Sequence, residues 1–321
     1  MAGARNADID EHERIGARGD VRSSQRGLWS DAWKRLRRNK AAVASVVFIV
    51  ALGLVALFAP LLAPHDPNSA SPTALPFSPP FWAAGNDPRY LLGTDMLARD
   101  VLSRLIYGAR VSLAVGLVPA AIVTVIGALV GLTAGWAGGW VDDLLMRMVD
   151  AVYAFPAFLF FIVLATILRD SWFGHLMGGL VMLFTAFAIV GWTDMARLVR
   201  GQVLTVKQRE YVEASRAIGA PPSRIILKHI LPNSLAPLVV AIAFEIPAYV
   251  LAEASLSFLG LGVQPTVASW GQMVYDSFPA ILGRSEFVLM PSLLIAGIML
   301  AFTFLGDGLR DALDPKDTQQ S

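Results

Sequence analysis

Three features predict an all-α polytopic membrane protein with six transmembrane helices. The 321 residues are 55% hydrophobic but only 16% charged, whereas soluble domains run near 25% charged. Six long apolar runs stand at about 41–63, 109–135, 144–168, 176–196, 235–260 and 287–306. A bilayer core of about 30 Å takes roughly 20 apolar residues at 1.5 Å rise each. A mid-membrane charge costs about 2.5–3.5 kcal/mol on insertion, so the charge-free run from Ala41 to Ala63 is informative. Finally, Lys and Arg are unevenly spread. With the N-terminus inside and the spans alternating, inside segments hold 20 of the 26 cations and outside segments hold 6. That bias predicts two cytoplasmic termini.

Composition also excludes chemistry. With no cysteine there is no disulfide, thiolate zinc site, iron–sulfur cluster or Cys nucleophile. A net charge of +1 gives no whole-protein attraction to nucleic acid. His12, His65, His175 and His229 are scattered and no HExxH string occurs, so no metal site is expected.

Residues 1–27 are polar and rich in Gly, Arg and Asp, and read as a disordered tail. In residues 28–40, Trp29, Trp33 and Leu36 recur at i, i+4, i+7 among five cations. That pattern is an interfacial amphipathic helix on the cytoplasmic membrane surface. The first apolar run begins about 40 residues in and is about 23 long, late and long for a signal peptide. It reads as a retained helix over 41–63. Residues 64–108 hold seven prolines, Pro64 to Pro88, and form an external loop or small cap. The end of this segment turns helical, with Thr94 or Asp95 as N-cap.

A core of five helices then covers 109–307, with a tail over 308–321. Its largest internal loop, 197–234, reads as two helices around a turn. The first runs from Thr205 to Ile218 with Tyr211, Ala214, Ser215 and Ile218 on one stripe. Gly219 takes the position after the helix, Pro221 and Pro222 forbid continuation, Ser223 caps the second helix, and Pro232 ends it. No strand signal or internal repeat is evident.

Within the spans, Pro119, Pro156, Pro247 and Pro291 predict kinks. Gly127, Gly131 and Gly135 have the GxxxG spacing of close helix packing. Ionisable groups in spans are functional candidates. Glu245 is the deeper, lining a pore or satisfied by an interhelical hydrogen bond. Glu253 lies near the external end as a candidate gate or mouth residue. Asp194 is expected to pair with Arg197 or Arg200, and Asp142 and Asp143 to be solvated at a turn.

The string from Glu213, EASRAIGAPPSRIILKHILPN, resembles the EAA loop of ABC importer permeases. Ser215 replaces the second Ala, and His229 stands where the general pattern has Ile, as in the dipeptide/oligopeptide branch. LGTDMLARDVLSRLIYGARVSL resembles a string of the C-type permease of that branch, with Ala98 in place of the usual Gly. GGWVDDLLMRMVDAVYAFP, ARLVRGQVL, LAEASLSFLGLGVQP and GDGLRDALDP match in order, so the resemblance covers about 90–315.

The resemblance implies a non-catalytic permease subunit in a prokaryotic cell membrane, importing dipeptides or oligopeptides first, with nickel chelates, glutathione-like peptides and oligosaccharides as the other cargoes of similar permeases. Glu213, Ala214, Ser215, Gly219, Ile230, Leu231 and Pro232 would couple to an ATPase. No GxxxxGK[ST] string occurs, so ATP and Mg would sit on partner subunits and this chain would bind no cofactor of its own. The partners implied are a B-type permease, the ATPase subunits, an extracytoplasmic solute-binding protein and lipid. The residues alone permit a plainer role for Glu213, a surface pair with Arg209 or Arg216. The rival class is an ion-coupled secondary transporter working through Glu245. An intramembrane Ser/His protease is disfavoured, because His175 and His229 lie near opposite membrane surfaces.

Overall fold

The computed structural model describes residues 28–313. The expected tail over 1–27 and residues 314–321 lie outside the described residues. Eleven helices carry the architecture: α1 (Leu28–Arg38), α2 (Lys40–Leu57), α3 (Val101–Ala137), α4 (Gly139–Tyr153), α5 (Ala157–Arg169), α6 (Leu180–Lys207), α7 (Glu210–Ala217), α8 (Pro222–Ile225), α9 (Leu231–Phe258), α10 (Trp270–Ser277) and α11 (Glu286–Leu313). Among the described residues, β pairing is limited to the isolated bridges Ala70–Arg99 and Thr94–Asp100.

Five helices are long and apolar enough to cross a membrane, and the bent pair α4–α5 makes a sixth when its two helices count as one span. The six apolar runs correspond to these segments, and their ends differ from expectation at several points. The second span begins at Val101, inside the expected loop 64–108. Its N-cap is Asp100, which accepts the Ser103 N–H, rather than Thr94 or Asp95. The third span is broken rather than kinked: α4 and α5 meet at 81° with Pro156 at the join. The fourth runs on to Lys207, so the loop expected from 197 starts about three turns later.

The core is built on α3 and α6, which run parallel. The glycine stripe brings the two backbones together. A Cβ on Gly131 would lie 2.5 Å from the Ala196 carbonyl oxygen, and one on Gly135 would lie 2.7 Å from the Val203 Cβ. Only glycine fits this approach. The last helix is longer than expected. Residues 308–313 are its final turns, not a tail, and Gly308 abuts Ala42 and Leu36 at the start of the first span. In α1, Leu36 is buried while Trp33 is exposed with Arg37 over its ring at 5.1 Å. The Trp29 side chain lies outside the described set.

The helix directions define two ends. One, the Pro-rich end, carries residues 64–100 and 259–285. The other carries α7 and α8.

Candidate functional site

At the α7–α8 end, α7 closes with a Schellman turn. The Gly219 N–H donates to the Arg216 carbonyl (2.9 Å) and the Ala220 N–H to the Ser215 carbonyl (3.0 Å). Gly219 has φ +80°, the left-handed conformation that glycine adopts without strain. The expected single helix from Thr205 to Ile218 is in fact two, broken at Gln208–Arg209. Pro221, not Ser223, precedes α8. The chain does not stop before Pro232. A π turn over Ile226–Ile230 leads directly into α9. The widened turn sits ahead of Pro232, which has no N–H and whose ring would crowd a normal α-turn.

Val212, Ile225 and Ile230 are buried against Val199, Val203, Val206 and Leu238 and fix the α7–α8 pair to α6 and α9. The opposite face is open. Glu213, Ala214, Gly219 and Pro232 are exposed, and Ser215 and Leu231 are half-buried. Ile218 is 85% exposed and Leu227 64% exposed, beside exposed Tyr211. The stripe of Tyr211, Ala214, Ser215 and Ile218 thus lies on the open face. Ile230 is the exception among the expected coupling residues: it is core and holds the face from behind. Ser215 donates to the Tyr211 carbonyl (2.7 Å) and lies 3.5 Å from His229 Nε2. Glu213 makes no ion pair among the described residues. Arg216, one of its expected partners, lies over the Trp136 ring at 4.7 Å.

Polar contacts tie this helix pair to the spans. Lys207 donates to the Trp136 carbonyl (2.7 Å), where a cation complements the C-terminal end of α3. Arg200 makes two 2.6 Å bonds to Asp142, which is buried rather than solvated. Arg197 bonds Asp150 (2.6 Å) and covers the Tyr153 ring at 4.2 Å. Asp194 therefore has neither of its expected partners. Sequence reasoning missed Trp136, Asp142, Arg200 and Lys207 as one connected set; it offered Arg200 to Asp194 and gave Lys207 no partner.

The Pro-rich end is fastened differently. Arg104 is 0% exposed, and Arg99, Asp95 and Asp276 are also buried. Arg99 bonds Asp95 (2.7 Å) and Asp276 (3.0 Å), and Arg104 lies 3.4 Å and 3.6 Å from the same two carboxylates. Asp276 belongs to α10, a helix absent from the expectations. Trp270 of α10 is fully buried and donates to the Leu105 carbonyl (3.0 Å) over Gly108. Glu253 is 1% exposed and accepts from Ser257 (2.7 Å) and Ser269 (2.9 Å). It anchors the segment before α10 instead of lining an open mouth.

Glu245 behaves otherwise. It lines a cavity of about 500 Å³ at the break between α4 and α5, walled also by α6 and α9. Asp194, Thr193 and Tyr249 share that cavity.

Residues 127–318 match the family model described as binding-protein-dependent transport system inner membrane component. Residues 27–80 match the N-terminal TM domain of oligopeptide transport permease C. The chain is 43% identical over 289 residues to the dipeptide transport system permease protein DppC of Bacillus subtilis, covering 89% of this chain and 85% of that one. It is 39% identical to the oligopeptide transport system permease protein OppC of Escherichia coli K12, covering 91% and 92%. It is 37% identical to OppC of Haemophilus influenzae, covering 98% and 96%. In fold it is similar to a chain of the inward-facing MetNI methionine ABC transporter, with TM-score 0.52 and 22% identity over 65% of this chain and 96% of that one. The family-model match over residues 127–318, more than half of the chain, and relatives 37–43% identical along nearly their whole length lead to one assignment: this chain belongs to the family of binding-protein-dependent transport system inner membrane components.

Proposed function

We propose that this chain is the C-type permease subunit of an ABC importer for dipeptides and oligopeptides, forming half of a translocation pathway. The observation that carries the reading is the α7–Gly219–α8 face. It presents Glu213, Ile218 and Leu227 outward while Val212, Ile225 and Ile230 root it in the spans. An exposed apolar set on a rigid helix pair suits a helix-in-groove contact, here with an ATPase subunit that holds ATP and Mg. Lys207 and Arg200 would pass the motion of that contact to the ends of α3 and α4. The α7–α8 end is then cytoplasmic, and the Pro-rich end faces an extracytoplasmic solute-binding protein. A B-type permease completes the pathway within the cell membrane. The relatives named for peptide transport support the cargo class.

The test is an affinity tag after Ser321, gentle solubilisation and identification of what co-purifies, with peptide uptake assayed under ATP depletion and under collapsed ion gradients. An ATPase and a second permease in stoichiometric amounts, with uptake lost on ATP depletion alone, is the expected result. A chain that purifies alone, with uptake driven by an ion gradient, overturns the reading.

A further inference from the structure

The cavity at the broken third span has a chemistry that the coupling face does not explain. It sits where the apolar walls of α5, α6 and α9 meet, yet it receives two carboxylates, Asp194 and Glu245. Glu245 is half-buried and Asp194 exposed on the cavity wall, and a carboxylate within a membrane span is costly unless a cation accompanies it. Among the described residues neither has a cation within 4 Å, since the nearby Arg197 and Arg200 are held by Asp150 and Asp142. A second, independent group points the same way. Tyr249 is 3% exposed and lines the cavity, and its hydroxyl makes no hydrogen bond. It lies beside Glu245, one turn earlier on α9, close enough for that carboxylate to act on it. Leaving a buried hydroxyl unpaired costs about 1–3 kcal/mol, and such a group in a native structure calls for an explanation. The hydroxyl lies over Gly191, where any Cβ would collide with it, so the backbone of α6 is cut back to make room for it.

We propose that Asp194, Glu245 and the Tyr249 hydroxyl form a transit site for a primary ammonium group, the protonated α-amine of a peptide in the pathway. An ammonium has three donors and no acceptor. Two carboxylates and a phenol oxygen offer it three acceptors, and the apolar remainder of the cavity (Phe155, Phe161, Phe244) suits peptide side chains. The volume lies within the range of small-molecule sites. The proposal rests on the peptide-importer reading and adds what the membrane portion recognises.

The test uses the assembled transporter in nanodiscs, free of nucleotide and of solute-binding protein, so that the receptor's own selectivity does not enter. Equilibrium binding of radiolabelled Ala-Phe is measured against competition by unlabelled Ala-Phe, N-acetyl-Ala-Phe and ammonium chloride. The expected result is saturable binding displaced by Ala-Phe but by neither of the others, and weakened about ten-fold by Glu245→Gln and by Asp194→Asn. Tyr249→Phe removes only an unbonded hydroxyl, so it folds as well as the parent, and it weakens binding several-fold. Wild-type affinity in all three variants, equal competition by the N-acetyl peptide, or no saturable binding overturns the proposal. Competition by ammonium chloride at the affinity of the peptide also overturns it, in favour of a bare cation site. ATP-dependent, receptor-driven peptide uptake by the same wild-type complex is measured in parallel. Uptake without amine-specific binding defeats the site alone, whereas absence of peptide uptake defeats the importer reading beneath it.

Discussion

Arg200 and Asp142 meet through two 2.6 Å hydrogen bonds, Nε to Oδ1 and Nη2 to Oδ2, which pin the end of α6 to the first turn of α4. The guanidinium is a third exposed and the carboxylate mostly buried. Bidentate, charge-assisted geometry makes this more than a surface contact. Asp142→Ala is expected to lower stability by about 1–3 kcal/mol because a partly buried cation loses its partner. Arg200→Ala should cost a similar amount, and the double variant less than the sum of the two. Thermal unfolding of the detergent-purified protein checks this; strictly additive losses would show that the two side chains do not interact.

The α3–α6 seam gives a sharper contrast within one helix pair. A methyl on Gly131 would lie 2.5 Å from the Ala196 carbonyl oxygen, and backbone cannot step aside cheaply. Gly131→Ala should therefore destabilise by about 1–3 kcal/mol through overpacking. Gly201, on α6, has open space where its Cβ would stand. Gly201→Ala should be neutral or stabilise by about 0.5–1 kcal/mol, since alanine is the better helix former. Folded yield by fluorescence-detected size exclusion separates the two, and equal behaviour would mean that the helices do not approach so closely.

Much of this was legible in the sequence because bilayer physics leaves few choices. A long charge-free run must be helical, and a GxxxG stripe must face a neighbour. Gly219 before Pro221 and Pro222 could only be a turn. What escaped detection were the places where charges are neutralised by distant partners. Arg104 is a charge that an unpartnered span would exclude, so the expected second span starts at 109 although the pattern before it is already helical. In the structure Asp95 and Asp276, which is 172 positions further along the chain, allow it to be buried inside a helix that starts at Val101. Arg197 and Arg200 ended the expected fourth span for the same reason, although Asp150 and Asp142 hold them along its side. Helix α10 was invisible because eight residues give too little periodicity, and its burial is decided by a Trp270 contact on α3. On the α7–α8 face, spacing alone placed Gly219 at the turn but could not tell Ile230, which is core, from Ile218, which is exposed.

Gly219 tests the lever. Its Cβ position is open, so the cost of a side chain there is conformational only. A β-branched residue in the left-handed region costs about 1–2 kcal/mol or more, which is about a ten-fold shift against the formed turn. Gly219→Val is expected to leave membrane insertion intact and uncouple ATP hydrolysis from uptake. Gly219→Asn, which tolerates this conformation, should keep most coupling. Uptake and hydrolysis measured together in proteoliposomes of the whole transporter decide it; normal transport by the valine variant sinks the lever model.

Ala98 offers the last test, at the Pro-rich end. Its φ is +57°, the left-handed conformation that favours glycine. The backbone around it is fixed on both sides. Its N–H donates to the Asp95 carbonyl (3.0 Å) and its carbonyl accepts from Ser71 (2.8 Å), so the left-handed turn cannot relax without breaking the link to the loop. An L-residue there carries about 1–2 kcal/mol of strain. Ala98→Gly removes that strain and gives up about 0.8 kcal/mol for a methyl that is 7% exposed. A net gain of about 0.5 kcal/mol is expected, small but of definite sign. Ala98→Val adds a branched side chain to the same φ and should cost about 2 kcal/mol or more. Because Arg99 follows directly and bonds both Asp95 and Asp276, the valine variant should also loosen the cap, seen as faster proteolysis within 64–100. Melting temperatures in the order glycine, alanine, valine support the strained turn; a glycine variant that melts below the parent refutes it.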